Sequence, residues 1–467
     1  MFSKFVAAVT ISAIMLAGCT MIPKYSRPEA PVPASWPSGP AYKETPAAPE
    51  TAVVADLPWR RFFTDSRLQH VIDMGLKNNR DLRVAALNVE RARALYRIQR
   101  AELLPTVATG TRAIKQRVRI SGGTGLVTVE EYSLNLGISS WELDFFGRIR
   151  SLSQKALEEY FATEQGRRSA QILLVSEIAN AYLTLAADRE NLKLAQSTLK
   201  SQQEAYNVIK RRFEVGLAPE LDLRQVQTRV DAARVDVARY TELAALDENA
   251  LNLLAGGAVP AGLLPLELSV VKPLPEVSAG ASSEVLLRRP DILQAEHLLK
   301  AANANIGAAR AAFFPRISLT SAVGTASGDL SGLFTTGSFV WSYAPQTIMP
   351  IFDARTWSGL KATKVDRELA VAQYEKAIQG AFREVADALA GKGTLGDQLA
   401  AQNSLVEAAA RAYRLSNSRY EKGIDIYLNV LDAQRSLYSA QQGLIAIRLA
   451  KFANQVRLYA VLGGGDA

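Results

Sequence analysis

The chain has 467 residues, 21% of them charged and only 7% aromatic, and long tracts dominated by Ala, Leu, Gln and Arg. That balance points to extended helices rather than to two or three ordinary globular domains. The formal charge of +8 comes from interspersed acids and bases. This suits solvated helix faces, and with no RNA or DNA motif beside it no nucleic-acid partner is expected.

The first stretch, MFSKFVAAVTISAIMLAGCTM, has Lys4, an apolar run from Phe5 to Leu16 and then small residues. This is the pattern of a secretory signal over residues 1–18, and the run is too short to span a bilayer as a mature helix. Leu16-Ala17-Gly18-Cys19 has the form of a bacterial lipobox, in which the cysteine becomes the first residue and is acylated. The alternative is an ordinary signal with a chance cysteine. Cys19 is the single cysteine of the chain, so no disulfide can form within it, and Thr20 follows rather than an Asp that would suggest inner-membrane retention. One acyl anchor holds weakly, so other membrane contact is expected. No later stretch has 18 uninterrupted apolar residues, so a membrane crossing by the mature chain must be made as a β-barrel.

Residues 23–49 hold eight of the nineteen prolines and read as an extended linker, not a packed element. Asp65 or Ser66 then caps a short helix. From there the chain repeats itself. Asp81 to Pro105 lies over Asp291 to Pro315 at a constant offset of 210. Glu177 matches Glu384, RFEVG (212–216) matches RYEKG (419–423), Gln227 matches Gln434 and Gly256-Gly257 matches Gly463-Gly464, all at an offset of 207. A tandem duplication explains this, with the Pro- and Gly-rich residues 258–284 as the inter-repeat linker. The expected division is a signal at 1–18, a Pro-rich segment 19–57 beginning at Cys19, a first repeat 58–257, the segment 258–284 and a second repeat 285–467.

Each repeat reads as helix, strand, turn, strand, very long helix, tip, helix. The strand hairpins lie near 105–144, turning at SGGTG, and near 315–352. Tyr132, Leu134, Leu136 and Ile138 alternate with Ser133, Asn135, Gly137 and Ser139, which suits an apolar outer wall and a polar lumen. Pro345 weakens the fourth strand. No proline falls between Gly147 and Pro219, or after Pro350. A helix of roughly 65 residues reaches about 100 Å at 1.5 Å per residue, far beyond the needs of a globular core. AGKGTLGDQ (390–398) is where the second long helix would bend or break. The returning helices carry heptad seams, Val226, Val230, Ala233, Val237 and Tyr240 in the first and Ala433, Leu437, Ala440, Leu444 and Ile447 in the second. An ordinary bundle core explains the seams equally well, but not the helix length.

Four strands cannot close a barrel, and an open edge is not tolerated in lipid. Strands from several chains must therefore combine, in a cyclic assembly whose copy number the physics alone does not fix. Leu428, Asp432 and Arg435 share one helical face just off the second seam and are free to look into a lumen. An intrahelical surface pair between Asp432 and Arg435 is the bland alternative. Phe145, Phe146, Phe313 and Phe314 stand at strand–helix junctions, as an interfacial girdle or as core. Arg112, Lys115, Arg117 and Arg119 on the first strand line the lumen, meet lipopolysaccharide phosphates, or belong to a solvated loop. His70 and His297 fall on helices in different halves, and no metal spacing, nucleophile elbow or phosphate loop appears. No enzyme activity, cofactor or metal is expected.

The stretches around Cys19, WRRFFTDSRLQHVIDMGLKNNRDL, WELDFFGRIRS, RRPDILQAEHLLKAANANIGAARAAFFP and RYEKGIDIYLNVLDAQRSLYSAQQGL together resemble the outer-membrane factor (TolC-like) family. Within it they are most similar to the lipoprotein multidrug-efflux branch around OprM. The resemblance implies an α+β membrane protein of the bacterial outer membrane, lipid-anchored and extending into the periplasm. It implies a homotrimeric twelve-stranded β-barrel, an equatorial belt and a long periplasmic α-helical barrel of coiled-coil hairpins. It also implies a passive efflux exit duct for drugs and other small toxic compounds. Its partners would be a periplasmic adaptor (membrane fusion protein) and an inner-membrane resistance-nodulation-division pump. A passive porin, a type I protein-secretion duct and a metal-ion efflux duct are the competing readings.

In this reading the tips near 213–220 and 420–427 point into the periplasm. The resemblance puts adaptor docking there, at Arg212, Gly216, Leu217, Arg419, Gly423 and Ile424. It makes Leu428 and Asp432 rings at a periplasmic gate, with Arg435 on the same face. Arg419 and Tyr420 would lock the closed state by links to the first long helix, with Asp188 as their partner. The matching positions in the first tip are Leu221, Gln225 and Thr228, so only the second copy carries the charge.

Overall fold

A computed structural model describes residues 20–43, 57–119, 125–280 and 282–464. Cys19, the signal and most of the SGGTG turn lie outside the described residues. In chain order the first helices are α1 (Trp59–Phe62), α2 (Ser66–Asn78) and α3 (Arg80–Ala101). Strands β1 (Val107–Arg119) and β2 (Leu126–Leu143) follow, then helices α4 (Arg148–Glu214) and α5 (Glu220–Ala255). After three short 3-10 turns, the same order returns: α6 (Pro290–Ala311), β3 (Arg316–Ser327), β4 (Phe339–Ile348), α7 (Ala354–Glu421) and α8 (Tyr427–Val461). The chain divides into two compact units, one of residues 1–29, 88–164 and 294–374 and one of residues 30–87, 165–293 and 375–467.

The first unit holds the sheet. Its strand order is β1-β2-β3-β4, every pairing is antiparallel, and β1 and β4 are its edges. The expected alternation is present. Rungs Leu136↔Val323↔Trp341 and Ile138↔Ser321↔Tyr343 put an apolar and aromatic set on one face. Ser133, Asn135 and Gly137 pair with Ala326, Gly324 and Ala322 on the other. Leu136 is 53% exposed and Trp341 72%, whereas Ser133 on the opposite face is 8% exposed. Pro345 occupies a rung opposite Leu319 on β4, an edge strand of this chain's sheet, the kind of position where proline is tolerated. The register shifts between Ile138 and Trp141, around Ser140 at φ 53°. At the foot of the sheet Glu142 takes Arg148 Nε at 2.8 Å and Arg316 Nε at 2.7 Å, tying α4 and β3 to β2. Phe146 stacks on Phe314 at 4.9 Å, Phe313 meets Trp357 edge-on, and Phe145 stays 42% exposed. Among the junction aromatics some thus pack and some face out.

In the same unit the N-terminal segment departs from the expectation of an unpacked linker. Arg310, Asn303 and Glu296 lie seven residues apart, on one face of α6. Arg310 donates to the Met21 carbonyl (3.2 Å) and Asn303 to that of Pro23 (2.8 Å). Glu296, whose side chain is 3% exposed, accepts from Arg27 through both oxygens (3.2 and 2.7 Å) and from the Tyr25 hydroxyl (3.2 Å). An extended, proline-rich strand has no internal backbone bonds, so its carbonyls are free for the helix. His297, next along α6, holds Glu158 of α4 at 2.7 Å.

The second unit is helical. Asp65 caps α2 by accepting from the Arg67 and Leu68 amides, Phe62 stacks on Tyr459 at 4.2 Å, and Ile178, Tyr182 and Leu183 of α4 are buried. Trp36 stacks on Phe382, and Ser283 bonds the Pro33 and Ala34 carbonyls, so this part of the N-terminal segment is packed too. The inter-repeat segment likewise buries Leu264, Leu268, Val271 and Leu274. The 68-residue helix α7 runs unbroken through 390–398. Gly391 and Gly393 there serve close approach rather than a bend: a Cβ would reach 2.5 Å from the Asn454 side chain and 2.2 Å from the Ala41 carbonyl. The first seam is buried at Val226, Val230, Ala233 and Tyr240, with Val237 half-buried. In α8 the buried line begins earlier than expected, at Tyr427, Val430 and Leu431, and of the expected seam only Ala440 is fully buried. Among the described residues one helix, α4, has a window apolar enough to cross a membrane, and 56% of that window is buried in the chain itself.

Candidate functional site: the paired helix tips

Both long helices end in the same backbone device. Gly216 and Gly423 take φ 75° and 72°, the left-handed conformation that L side chains resist. The Leu217 amide bonds the Arg212 carbonyl at 2.7 Å and the Gly216 amide that of Phe213 at 2.9 Å. At the second tip the Ile424 amide bonds Arg419 and the Gly423 amide bonds Tyr420, both at 2.9 Å. These are two Schellman motifs. Each stops its helix by geometry and leaves an apolar residue outside, Leu217 at 79% and Ile424 at 59% exposure.

Behind the turns the tips share a core. Ile209, Leu223 and Val226 of the first hairpin pack with Tyr427, Val430 and Leu431 of the second, flanked by Tyr206, Tyr413 and Tyr420. The Tyr427 hydroxyl is pushed up to about 12, by burial first and then by Tyr413 and Tyr420. Farther along, α5 and α8 are cross-linked by Tyr438 to Asp236 and by Gln442 to Tyr240, each at 3.0 Å.

The polar groups distinguish the two copies. Arg212 Nη1 donates to the Tyr420 hydroxyl at 2.7 Å, while the position matching Tyr420 in the first tip is Phe213. Arg419 Nε donates to Asp425 at 2.6 Å and holds that carboxyl below its ordinary range; the matching residue is Ala218. Asp432 and Arg435 form an i,i+3 pair at 3.2 Å with both side chains more than half exposed, and Leu428 is 41% exposed. Leu428, Asp432 and Arg435 therefore lie off the tip core, on a face that this chain leaves open.

Asp188 corrects an expectation. Arg419 and Tyr420 already have Asp425 and Arg212 as partners. Asp188 sits on α4 24 residues before Arg212, about 36 Å of helix rise from the tip. There it meets Asp247 of α5 and Asn191. Burial and then the neighbouring Asp188 charge push Asp247 up to about 6. Asp425 and Asp247 were not singled out from the sequence. Asp425 had a signal, a charge present in only one of two matching tips, but Asp247 had none.

A family model described as outer membrane efflux protein matches residues 71–257 and again residues 281–464. The chain belongs to the outer membrane efflux protein family. Within it the toluene efflux pump outer membrane protein TtgC of Pseudomonas putida is 50% identical, covering 99% of this chain and 96% of that relative. The outer membrane protein OprJ of Pseudomonas aeruginosa is 41% identical over the same shares. Among solved structures, the open state of the MtrE outer membrane channel of Neisseria gonorrhoeae superposes with a TM-score of 0.85 at 37% identity, covering 96% of this chain and 98% of that one. The outer-membrane channel OprN superposes with a TM-score of 0.86 at 29% identity, covering 96% and 99%. The member of this family described above is thus a mostly helical chain with one four-stranded sheet, built like outer-membrane channels.

Proposed function

We propose that this chain is one protomer of a homotrimeric exit duct, in which three sheets close a twelve-stranded barrel in the outer membrane and the helical hairpins continue as a periplasmic α-barrel. The observation that carries the reading is the four-stranded sheet with both edges open, apolar on one face and small or polar on the other. Such a sheet is untenable alone in lipid and complete only in a ring. The recurrence of the same elements, with left-handed glycines 207 residues apart at both tips, supports the tandem duplication. Met21 docked at Arg310, on the helix that feeds β3, supports a lipid anchor on Cys19 at the foot of the barrel.

Relatives named for toluene and antibiotic efflux support small toxic compounds as cargo. An inner-membrane resistance-nodulation-division pump would deliver them through a periplasmic adaptor. The exposed Leu217 and Ile424, set off by Gly216 and Gly423, are the apolar contacts offered to that adaptor, with Arg212 and Arg419 beside them. Three Leu428 side chains around the axis narrow and dewet the passage, and three Asp432 carboxylates hold water and cations. The Arg212–Tyr420 link ties each second hairpin to the first in the closed state, and the Arg419–Asp425 pair braces the second tip itself. The test is conductance of the full-length protein in planar bilayers. Asp432→Ala is expected to raise ion leakage and lower the closed fraction; unchanged conductance with an unchanged closed fraction removes the gate assignment.

A further inference from the structure

The sheet carries an inversion of polarity that a membrane crossing alone does not require. Up to the rung Tyr132↔Ser327, β2 pairs with β3, and Tyr132, Leu134, Leu136 and Ile138 keep to one face. Beyond it β1 and β2 go on alone, from Ile114↔Glu131 to Arg119↔Leu126, as a two-stranded ribbon. Side chains alternate strictly along a strand, so each face can be followed onto the ribbon. The side that continues the apolar, aromatic face carries Lys115, Arg117 and Arg119. The opposite side carries Ile114, Val118, Val127 and Val129 together with Gln116 and Glu131.

A solvated turn has no reason to gather all three cations of the ribbon on one side. The three cations stand at i, i+2 and i+4, in steps of about 6.8 Å, and all are exposed. Glu130 faces Lys115 across the rung and pairs with it at 2.5 Å. Among the described residues Arg117 and Arg119 have no ion pair; their rung partners are Thr128 and Leu126. Arg112 lies on the other face, opposite Ser133. A column with two uncompensated guanidiniums therefore begins where the lipid-facing belt ends, at the end of the sheet away from the long helices.

We propose that Lys115, Arg117 and Arg119 form a binding site for the phosphate groups of the anionic glycolipid of the outer leaflet. The inference rests on the reading that this sheet spans the outer membrane. Guanidinium forks match phosphate oxygens two at a time, and cations beside an anionic headgroup layer add to membrane affinity. The site pins the rim of the sheet at the headgroup level of the outer leaflet.

The experiment uses full-length protein in phosphatidylcholine nanodiscs and a fluorescent bisphosphorylated lipid A as probe. The variants are the triple Lys115→Gln, Arg117→Gln, Arg119→Gln; the two single arginine changes; and Arg112→Gln. At roughly fivefold per unpaired cation, each single arginine variant should bind about fivefold more weakly and the triple variant at least about 25-fold. Arg112→Gln should match the unaltered protein, and dephosphorylated lipid A should bind weakly to all. Equal affinity in the triple variant and the unaltered protein overturns the proposal, as does an equal loss in Arg112→Gln or full displacement by inorganic phosphate at matched phosphate concentration. If the triple variant does not fold, the single variants decide by the same criterion. Quenching by brominated lipid, read as the part lost in Trp341→Phe, separates the two readings. Quenching without a lipid A preference ends this proposal alone; no quenching ends the membrane reading, and this site with it.

Discussion

Asp188 and Asp247 are two carboxyls from the consecutive helices α4 and α5. Arg239 lowers Asp188 only as a minor influence. Burial, then the charge of Asp188, raises Asp247 to about 6. A folded-state value above the unfolded one means that the folded form binds the proton more tightly. Its contribution to stability is complete below the ordinary carboxylate range and is lost as pH rises through about 6. At pH near 8 the pair therefore works against folding. Asp247→Asn keeps a hydrogen-bonding side chain and removes the repulsion. It should raise the thermal midpoint at pH 8 by the equivalent of about 1 kcal/mol, a figure reduced for solvent screening because the pair is only partly buried. The gain should vanish at pH 4; a lower midpoint at pH 8 would remove the repulsive reading. The glycine turns were legible in the sequence because a left-handed cap has a residue signature. This pair was not, because 59 residues separate its members and neither stands out on its own helix.

Among the elements, the strands and the first seam were read from their period, the seam of α8 was displaced toward Tyr427, Val430 and Leu431, and the irregular N-terminal segment was misjudged. Strand faces and long helices repeat every two or 3.6 residues, so their inward sides are written in the chain. The N-terminal segment has no period, and its meaning lies in Glu296, 269 residues from Arg27. Burial raises the Glu296 carboxyl, and the hydrogen bonds from Arg27 and Lys300 more than reverse this, so it stays ionised well into acid. Arg27→Ala leaves that buried carboxylate with Lys300 at 3.0 Å and the Tyr25 hydroxyl. Loss of a hydrogen bond between charged groups costs about 1.5–3 kcal/mol. The segment should open correspondingly more often, and trypsin should cut after the exposed Lys24 at least about tenfold faster under conditions where reclosing outpaces cleavage. Cleavage at an unchanged rate would mean that the Met21 and Pro23 carbonyls alone hold the segment. The same reasoning explains α7, where glycines that would weaken an isolated helix instead admit Asn454 and Ala41.

For the whole molecule the decisive feature is what the sheet lacks. β4 is exposed at every position and β1 at all but Ile114 and Val118. Three successive antiparallel pairings leave β4 running opposite to β1. The β1 of a second copy can therefore lie against β4 in the same antiparallel sense as every pairing within the chain, and the pattern continues without a break. Two copies give eight strands and an interior filled by side chains; three give twelve and room for a passage. Facing positions on the two edges, such as Thr109 or Thr111 on β1 and Trp341 or Tyr343 on β4, share the apolar face. Cysteines placed one on each edge should join under mild oxidation into covalent dimers and trimers and nothing larger, read by denaturing electrophoresis without reductant. In the proposed trimer the product stops at three because the third copy closes on the first. Species beyond three would mean an open or larger ring, and a limit at two would leave a filled barrel with no duct. Substitution of Cys19 by alanine in the same background removes the chain's native cysteine, so every covalent product then reports the strand edges alone.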